Sequence, residues 1–236
     1  MQPIIEKILV TCLIVCLVGM SHLMRVPGVQ AANPQDLHQL MTENWCVSFL
    51  WKQCDLSGAN LQGANLKNAN LSGANLREAK LQRANLSDAN LSGADLTHAN
   101  LAQANLFQTD LNHANLTSSN LREAKLWKAN LSLANLSDAQ LQNVNLLEAR
   151  LWGSNLSHAD LTQASVHGAN LQYANLAESN LQDAALDSFY FRGYQQVTDL
   201  SNANLEGANL QGANLTGTRM AGTIMPDGSL REERRQ

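Results

Sequence analysis

Hydrophobic and polar positions alternate with a period of five. Leucine stands at every fifth residue from Leu56 to Leu186, with Val166 the one substitution, so 26 of 27 successive positions are Leu. Two residues before each stands a small residue, usually Ala, relieved by Thr109, Ser119, Val144 and Ser154. Asn or Asp usually fills the place between, as in Ala59-Asn60-Leu61-Gln62-Gly63. Positions are numbered here from the leucine: −2 for Ala, −1 for Asn, then +1 and +2.

Period five suits neither ordinary element. On an α-helix the leucines would advance by roughly 140° each and smear around the cylinder. On a flat strand an odd spacing would send alternate leucines to opposite faces. One environment for every leucine needs a corner in each repeat. Gly58, Gly63, Gly73, Gly93, Gly153 and Gly168 occupy +2, where a turn can require positive φ, and Asn, Asp or Ser serves at other repeats. One repeat cannot fold alone, since ordering five backbones costs more than one buried leucine returns. The pattern predicts stacked coils: an all-β solenoid with a narrow core of Leu and small residues.

These A(N/D)Lxx units resemble the pentapeptide repeat proteins, over residues 54–187 and again over about 198–225. The resemblance implies a right-handed quadrilateral β-helix of four repeats, 20 residues, per coil. It extends to exported cyanobacterial members of periplasm or thylakoid lumen, which also place a helix and cysteines before the repeats. It implies no single biochemical function.

Six segments follow. Residues 1–31 hold the apolar run Ile8–Met20 and end in Val29-Gln30-Ala31, small residues at the −3 and −1 places of a signal-peptidase site, so cleavage after Ala31 is expected. The alternative is an uncleaved membrane anchor over residues 8–23. Residues 32–53 form an N-terminal cap. Asn33-Pro34-Gln35-Asp36 is a helix start, Leu37, Leu40 and Met41 give an apolar face to about Glu43, and Trp45, Phe49 and Trp51 follow. Repeats fill 54–188 and resume over 200–225. Between them, residues 189–199 are an aromatic interruption loop, because the step from Leu186 to Leu200 is 14 residues rather than a multiple of five. Residues 226–236 are a charged C-terminal tail.

The protein is exported by this reading, to periplasm, thylakoid lumen or the outside. There Cys46 and Cys54, the two cysteines left after cleavage, make a possible disulfide; two unrelated thiols are the alternative. Aromatics amount to only 5%, which fits a thin Ala/Leu core.

With a 20-residue coil, residues 20 apart stack. One row then runs Gly58, Glu78, His98, Ser118, Asp138, His158, Glu178, a solvated charge ladder rather than a metal site. Another runs Ser87, Phe107, Trp127, Leu147, His167, with Trp152 and Leu133 on the adjacent side and Lys125, Lys128 and Arg150 nearby. Phe107, Trp127, Leu147, Trp152, Lys125, Lys128 and Arg150 are the candidate interaction patch, unless flanking segments or self-association cover it. Phe189, Tyr190, Phe191 and Tyr194 form either a loop packed on the coil or a second interaction element.

No nucleophile elbow or phosphate loop is present, no catalytic group is nominated and no cofactor or metal is implied. The expected function is a non-enzymatic structural or protein-interaction module, its partner an unidentified protein or a second copy, with no nucleic acid and no membrane contact after cleavage. The family's alternative is DNA mimicry against a topoisomerase. It is disfavoured, since residues 55–187 carry 12 acids against 8 bases and no acid has another acid 20 residues away.

Overall fold

The computed structural model describes residues 38–40, 42, 54–191 and 193–232. From Asp55 to Ser165 every −1 residue forms a parallel β-bridge with the residue 20 further on, beginning Asp55–Asn75 and ending Ser165–Ala185. A coil is therefore 20 residues with four turns. Its sides are numbered in chain order by their first leucines, Leu56, Leu61, Leu66 and Leu71.

The repeat exists because it places all five backbone amides. Around Leu86, the Asn85 amide donates back to Ala64 O at 2.8 Å, and the Leu86 and Asp88 amides donate forward to Asn105 O and Phe107 O at 2.7 and 2.9 Å. The Ala89 amide closes a turn on Leu86 O at 3.1 Å. That leaves the +1 amide, and Asn85 Oδ1 accepts it from Ser87 at 3.2 Å. The same bond recurs at Asp55, Asn100, Asn135 and Asn175. Asn or Asp stands at −1 because it serves the one donor that neither ladder nor turn uses. Its Nδ2 then donates to the side chain one coil back, as from Asn105 to Asn85 at 3.1 Å.

The coil turns up to Gly222 have positive φ at +2. Gly58, Gly63 and Gly73 take it, as anticipated, but so do Arg83, Lys128, Leu133 and Tyr173, each at φ 59°. The bonds between coils hold these residues in a region that costs L-residues roughly 1 kcal/mol.

The leucines and −2 residues fill the interior, where Leu126 and Ala124 are fully buried. Buried hydroxyls at −2 find carbonyls: Thr109 Oγ1 donates to Leu86 O and Ser154 Oγ to Leu151 O, both at 2.7 Å. Buried Ser119 Oγ has no partner among the described residues. At the N-terminal end, His38–Leu40 and Thr42 are helical, and Leu40 joins the leucine core at 1% exposure. Trp45, Phe49 and Trp51, like the Ile8–Met20 run and Cys46, lie outside the described residues. Among the described residues, no helix is long and apolar enough to cross a membrane.

The interruption is not a loop. Nine residues, 189–197, are inserted at the corner between the third and fourth sides, and the bridge spacing lengthens there from 20 to 29 residues, as in Asn170–Asp199. They carry an antiparallel hairpin of β1 (Phe189–Phe191) and β2 (Tyr194–Gln196), with Phe191 opposite Tyr194. Period five hid this, because the hairpin follows period two. The charged tail also begins differently from its expected form: β4 (Leu230–Arg231) returns antiparallel onto β3 (Thr223–Ile224).

Candidate interaction surface

Outward side chains differ sharply between the sides. Over residues 54–187 the first and second sides carry nothing outward that is apolar and larger than Ala. Many of their polar groups pair with one another, although buried Gln82 Oε1 on the second side has no partner among the described residues. On the first side, Thr117 Oγ1 donates to Asn115 Oδ1 at 2.7 Å and accepts from Asn135 Nδ2 at 2.9 Å. On the second side Arg83 Nε donates to Gln103 Oε1 at 2.8 Å, and Gln103 Nε2 to Glu123 Oε2 at 2.9 Å.

Two aspartates in these ladders are perturbed. Partial burial works to raise Asp95, but the Thr97 hydroxyl and amide and the Arg77 guanidinium donate to it and leave its pKa below the usual carboxylate value. Asp160 is likewise opposed by partial burial, yet Thr162, then Gln142 and Arg122, bring it down.

The third side carries the predicted stripe. Phe107 and Trp127 stack one coil apart, with ring centroids 5.2 Å apart and planes tilted by 55°. Lys128 Nζ lies 5.2 Å from the Trp127 ring centroid and 3.6 Å from Glu148 Oε2. Phe107, Trp127 and Leu147 are half-buried rather than fully exposed, and the first two pack on each other. Lys125 and Arg150 are exposed, and neither has a carboxylate within 4 Å among the described residues. Lys67 pairs with Asp88 at 3.7 Å at the head of the stripe. An open groove of about 370 Å³ runs beside it, lined by Phe107, Trp127, Lys125, Asn105 and Asn145 together with Lys67 and Asp88.

Stripe and hairpin, read separately from the sequence, are one surface. His167 continues the row after Leu147, and Phe189 of β1 packs edge-on against it at 5.7 Å. His167 Nδ1 lies 3.1 Å from Asp187 Oδ1. The hairpin fits because Gly168 has no Cβ, since one would sit 3.0 Å from Gln196 Cβ and 3.5 Å from the Phe189 ring. Inserting the hairpin takes the Asp187 carbonyl from the Gly168 amide, and buried Thr198 Oγ1 accepts that amide instead at 2.9 Å. Tyr190 and Tyr194 are exposed, at 76% and 75%.

Trp152 belongs to a second cluster, on the fourth side. It meets Tyr173 edge-on at 5.9 Å, and Leu133 leans across Gly153 beside it. Tyr173, 57% exposed, is the residue that sequence reasoning missed. It lies in the +2 row with Leu133, and reading that row on the fourth side would have found it.

Cys54 is buried and disulfide-bonded. In the histidine row His158 Nδ1 lies 3.3 Å from Glu178 Oε2, on exposed side chains. Among the described residues no three metal-ligating side chains gather.

The model of pentapeptide repeats matches in 8 copies, across residues 54–193 and 198–232. Among solved structures, HetL of the cyanobacterium Nostoc sp. strain PCC 7120 is a pentapeptide repeat protein involved in heterocyst differentiation regulation. It is 32% identical over 73% of this chain and 90% of its own, with a TM-score of 0.44. Trypsin-treated QnrB1, a plasmid-mediated fluoroquinolone resistance protein, is 19% identical over 74% of this chain and 78% of its own, with a TM-score of 0.42. A pentapeptide repeat protein of the Arabidopsis thaliana thylakoid lumen is 23% identical over 56% of this chain and 70% of its own, with a TM-score of 0.21. A search of curated proteins returns no match. With the repeat model matched over most of its length, the chain belongs to the pentapeptide repeat family.

Proposed function

We propose that the protein is a non-enzymatic, exported interaction module that holds a partner protein against the third and fourth sides of its solenoid. One observation carries this reading: over residues 54–187 every large outward apolar residue lies on those two adjacent sides, while the other two carry side-chain ladders. A fold that needs only inward leucines has no use for outward Phe107, Trp127, Leu147, Trp152 and Tyr173, and aromatic residues with a charged rim are the usual anchors of a protein interface. The coil is taken as right-handed and square in section, as the family resemblance implies. Export is supported by the Ile8–Met20 run and by a disulfide at Cys54, since such bonds persist in oxidising compartments. Cys46 is its proposed partner.

The test pairs Phe107→Ser with Trp127→Ser. Circular dichroism should not change, since neither residue faces the core. Sedimentation and capture from the exported fraction should show weaker self-association or loss of a captured protein, by at least about 1–2 kcal/mol. Unchanged assembly and unchanged capture would end the proposal. For export, intact mass of the native product should place its N-terminus at Ala32; retention of residues 1–31 would favour the anchor.

A further inference from the structure

We propose that the groove beside Phe107 and Trp127 takes an acidic peptide segment of a partner protein, one that carries an aromatic or aliphatic residue next to its carboxylate. This rests on the reading of the protein as an interaction module and names the partner's chemistry.

The asparagine column of the third side makes the site. Asn85 Nδ2 donates to Asn65 Oδ1 at 3.2 Å, and Asn105 Nδ2 to Asn85 Oδ1 at 3.1 Å. The next rung is Lys125, and the column stops. Asn145 still accepts the Leu147 amide at 3.0 Å through Oδ1, but its Nδ2 has a lysine, not an amide oxygen, on the coil before it. The Trp127 ring stands in the row beside and supplies an apolar wall, its Nε1 being buried away from solvent. Lys125 has no carboxylate within 4 Å among the described residues. An ammonium and an amide N–H therefore meet beside the Phe107–Trp127 wall with no acceptor among the described residues. On the rungs before it, Asn85 and Asn105 each give Nδ2 to the oxygen one coil back.

A donor excess calls for an acceptor, and an ammonium among the donors calls for a charged one. The Phe107–Trp127 wall adds an apolar contact beside it. Volume sets the size: about 370 Å³ is near the lower end of ligand pockets and suits a few residues of an extended chain. Nucleic acid fits less well. A polyanion needs a run of unpaired cations, whereas Lys67 and Lys128 are already held by Asp88 and Glu148, and the whole protein carries net charge −4.

A fluorescein-labelled peptide of alternating Asp and Tyr residues is the probe, with one control replacing Asp by Asn and another replacing Tyr by Ser. Fluorescence polarisation should show binding of the first peptide, weaker by about tenfold or more in both controls and weakened by salt. Lys125→Glu, an exposed change that leaves the core alone, should weaken binding by a similar factor. Equal binding of the Asp and Asn peptides, indifference to Lys125→Glu, no binding at all, or equal competition by oligothymidylate would each overturn the inference. If Trp127→Ser abolishes binding while Lys125→Glu does not, the acidic partner is wrong and the apolar interface stands. If neither substitution matters, both readings fall.

Discussion

Removing residues 189–197 should leave a folded solenoid. The hairpin occupies the corner between Ser188 at +2 and Thr198 at −2, so joining these two returns the bridge spacing from 29 residues to the regular 20. The joined stretch would read Leu186-Asp187-Ser188-Thr198-Asp199-Leu200, an ordinary repeat boundary. What is lost is the packing of Phe189 on His167 and of Gln196 over Gly168. A half-buried ring with one edge-on aromatic contact contributes about 1–2 kcal/mol. What is regained is the regular acceptor: the Gly168 amide can return to Asp187 O, as the Glu148 amide bonds His167 O at 3.0 Å. The deletion should therefore cost no more than about 2 kcal/mol, a fall in melting temperature of roughly 4–8 °C for a protein of this size. Thermal melts followed by far-UV circular dichroism measure it. Deleting eight or ten residues instead would push Leu200 and its successors out of the core and should be far more damaging. The reasoning fails if the nine-residue deletion abolishes the cooperative melt, or if all three deletions behave alike.

Three further outcomes follow from the same geometry. Leu126→Asp places a charge without a partner in the core and should cost roughly 3–5 kcal/mol, whereas outward Ser132→Asp should be near neutral; urea melts that show equal losses would refute the register. Ser119→Ala removes a buried hydroxyl with no partner and should stabilise by about 1 kcal/mol, while Thr198→Val orphans the Gly168 amide and should destabilise by about 1–3 kcal/mol; like signs in a melt would contradict the hydrogen-bond accounting. Asp95 and Asp160 have lowered pKa values when folded, so their stabilisation is present above the unfolded value of about 3.9 and disappears as pH falls through the lower folded values. Replacing both by Asn should flatten the acid-side loss of melting temperature modestly, since both are mostly solvated, and a steeper loss would be the contrary result.

The core was legible because leucine spacing is a one-dimensional signal that survives stacking unchanged. The five-residue corner could be read from it, but the number of sides could not, since that depends on how neighbouring turns close into a coil. The turn chemistry was half legible. Glycine at +2 announces positive φ, yet Arg83, Leu133 and Tyr173 adopt it because the coils above and below leave no alternative. The stripe of Phe107, Trp127 and Leu147 followed from a 20-residue coil, but its half-burial depends on rotamers that lean along the row. The hairpin was there to be read: Phe189-Tyr190-Phe191 and Tyr194-Gln195-Gln196 flank the two residues Arg192-Gly193, a hairpin signal once the period-five frame is set aside. Thr198, small and one place before Asp199, already marked where the repeat resumes.

Site-specific photo-crosslinking tests the claim of a two-sided binding face most directly. A benzoylphenylalanine placed at Phe107, at Trp152, or at the exposed positions His98 and Gln103 of the first and second sides samples all four faces in one host. Partner adducts are expected from Phe107 and Trp152 and not from His98 or Gln103. The same adducts from all four positions, or adducts from His98 and Gln103 alone, would contradict a binding face on the third and fourth sides.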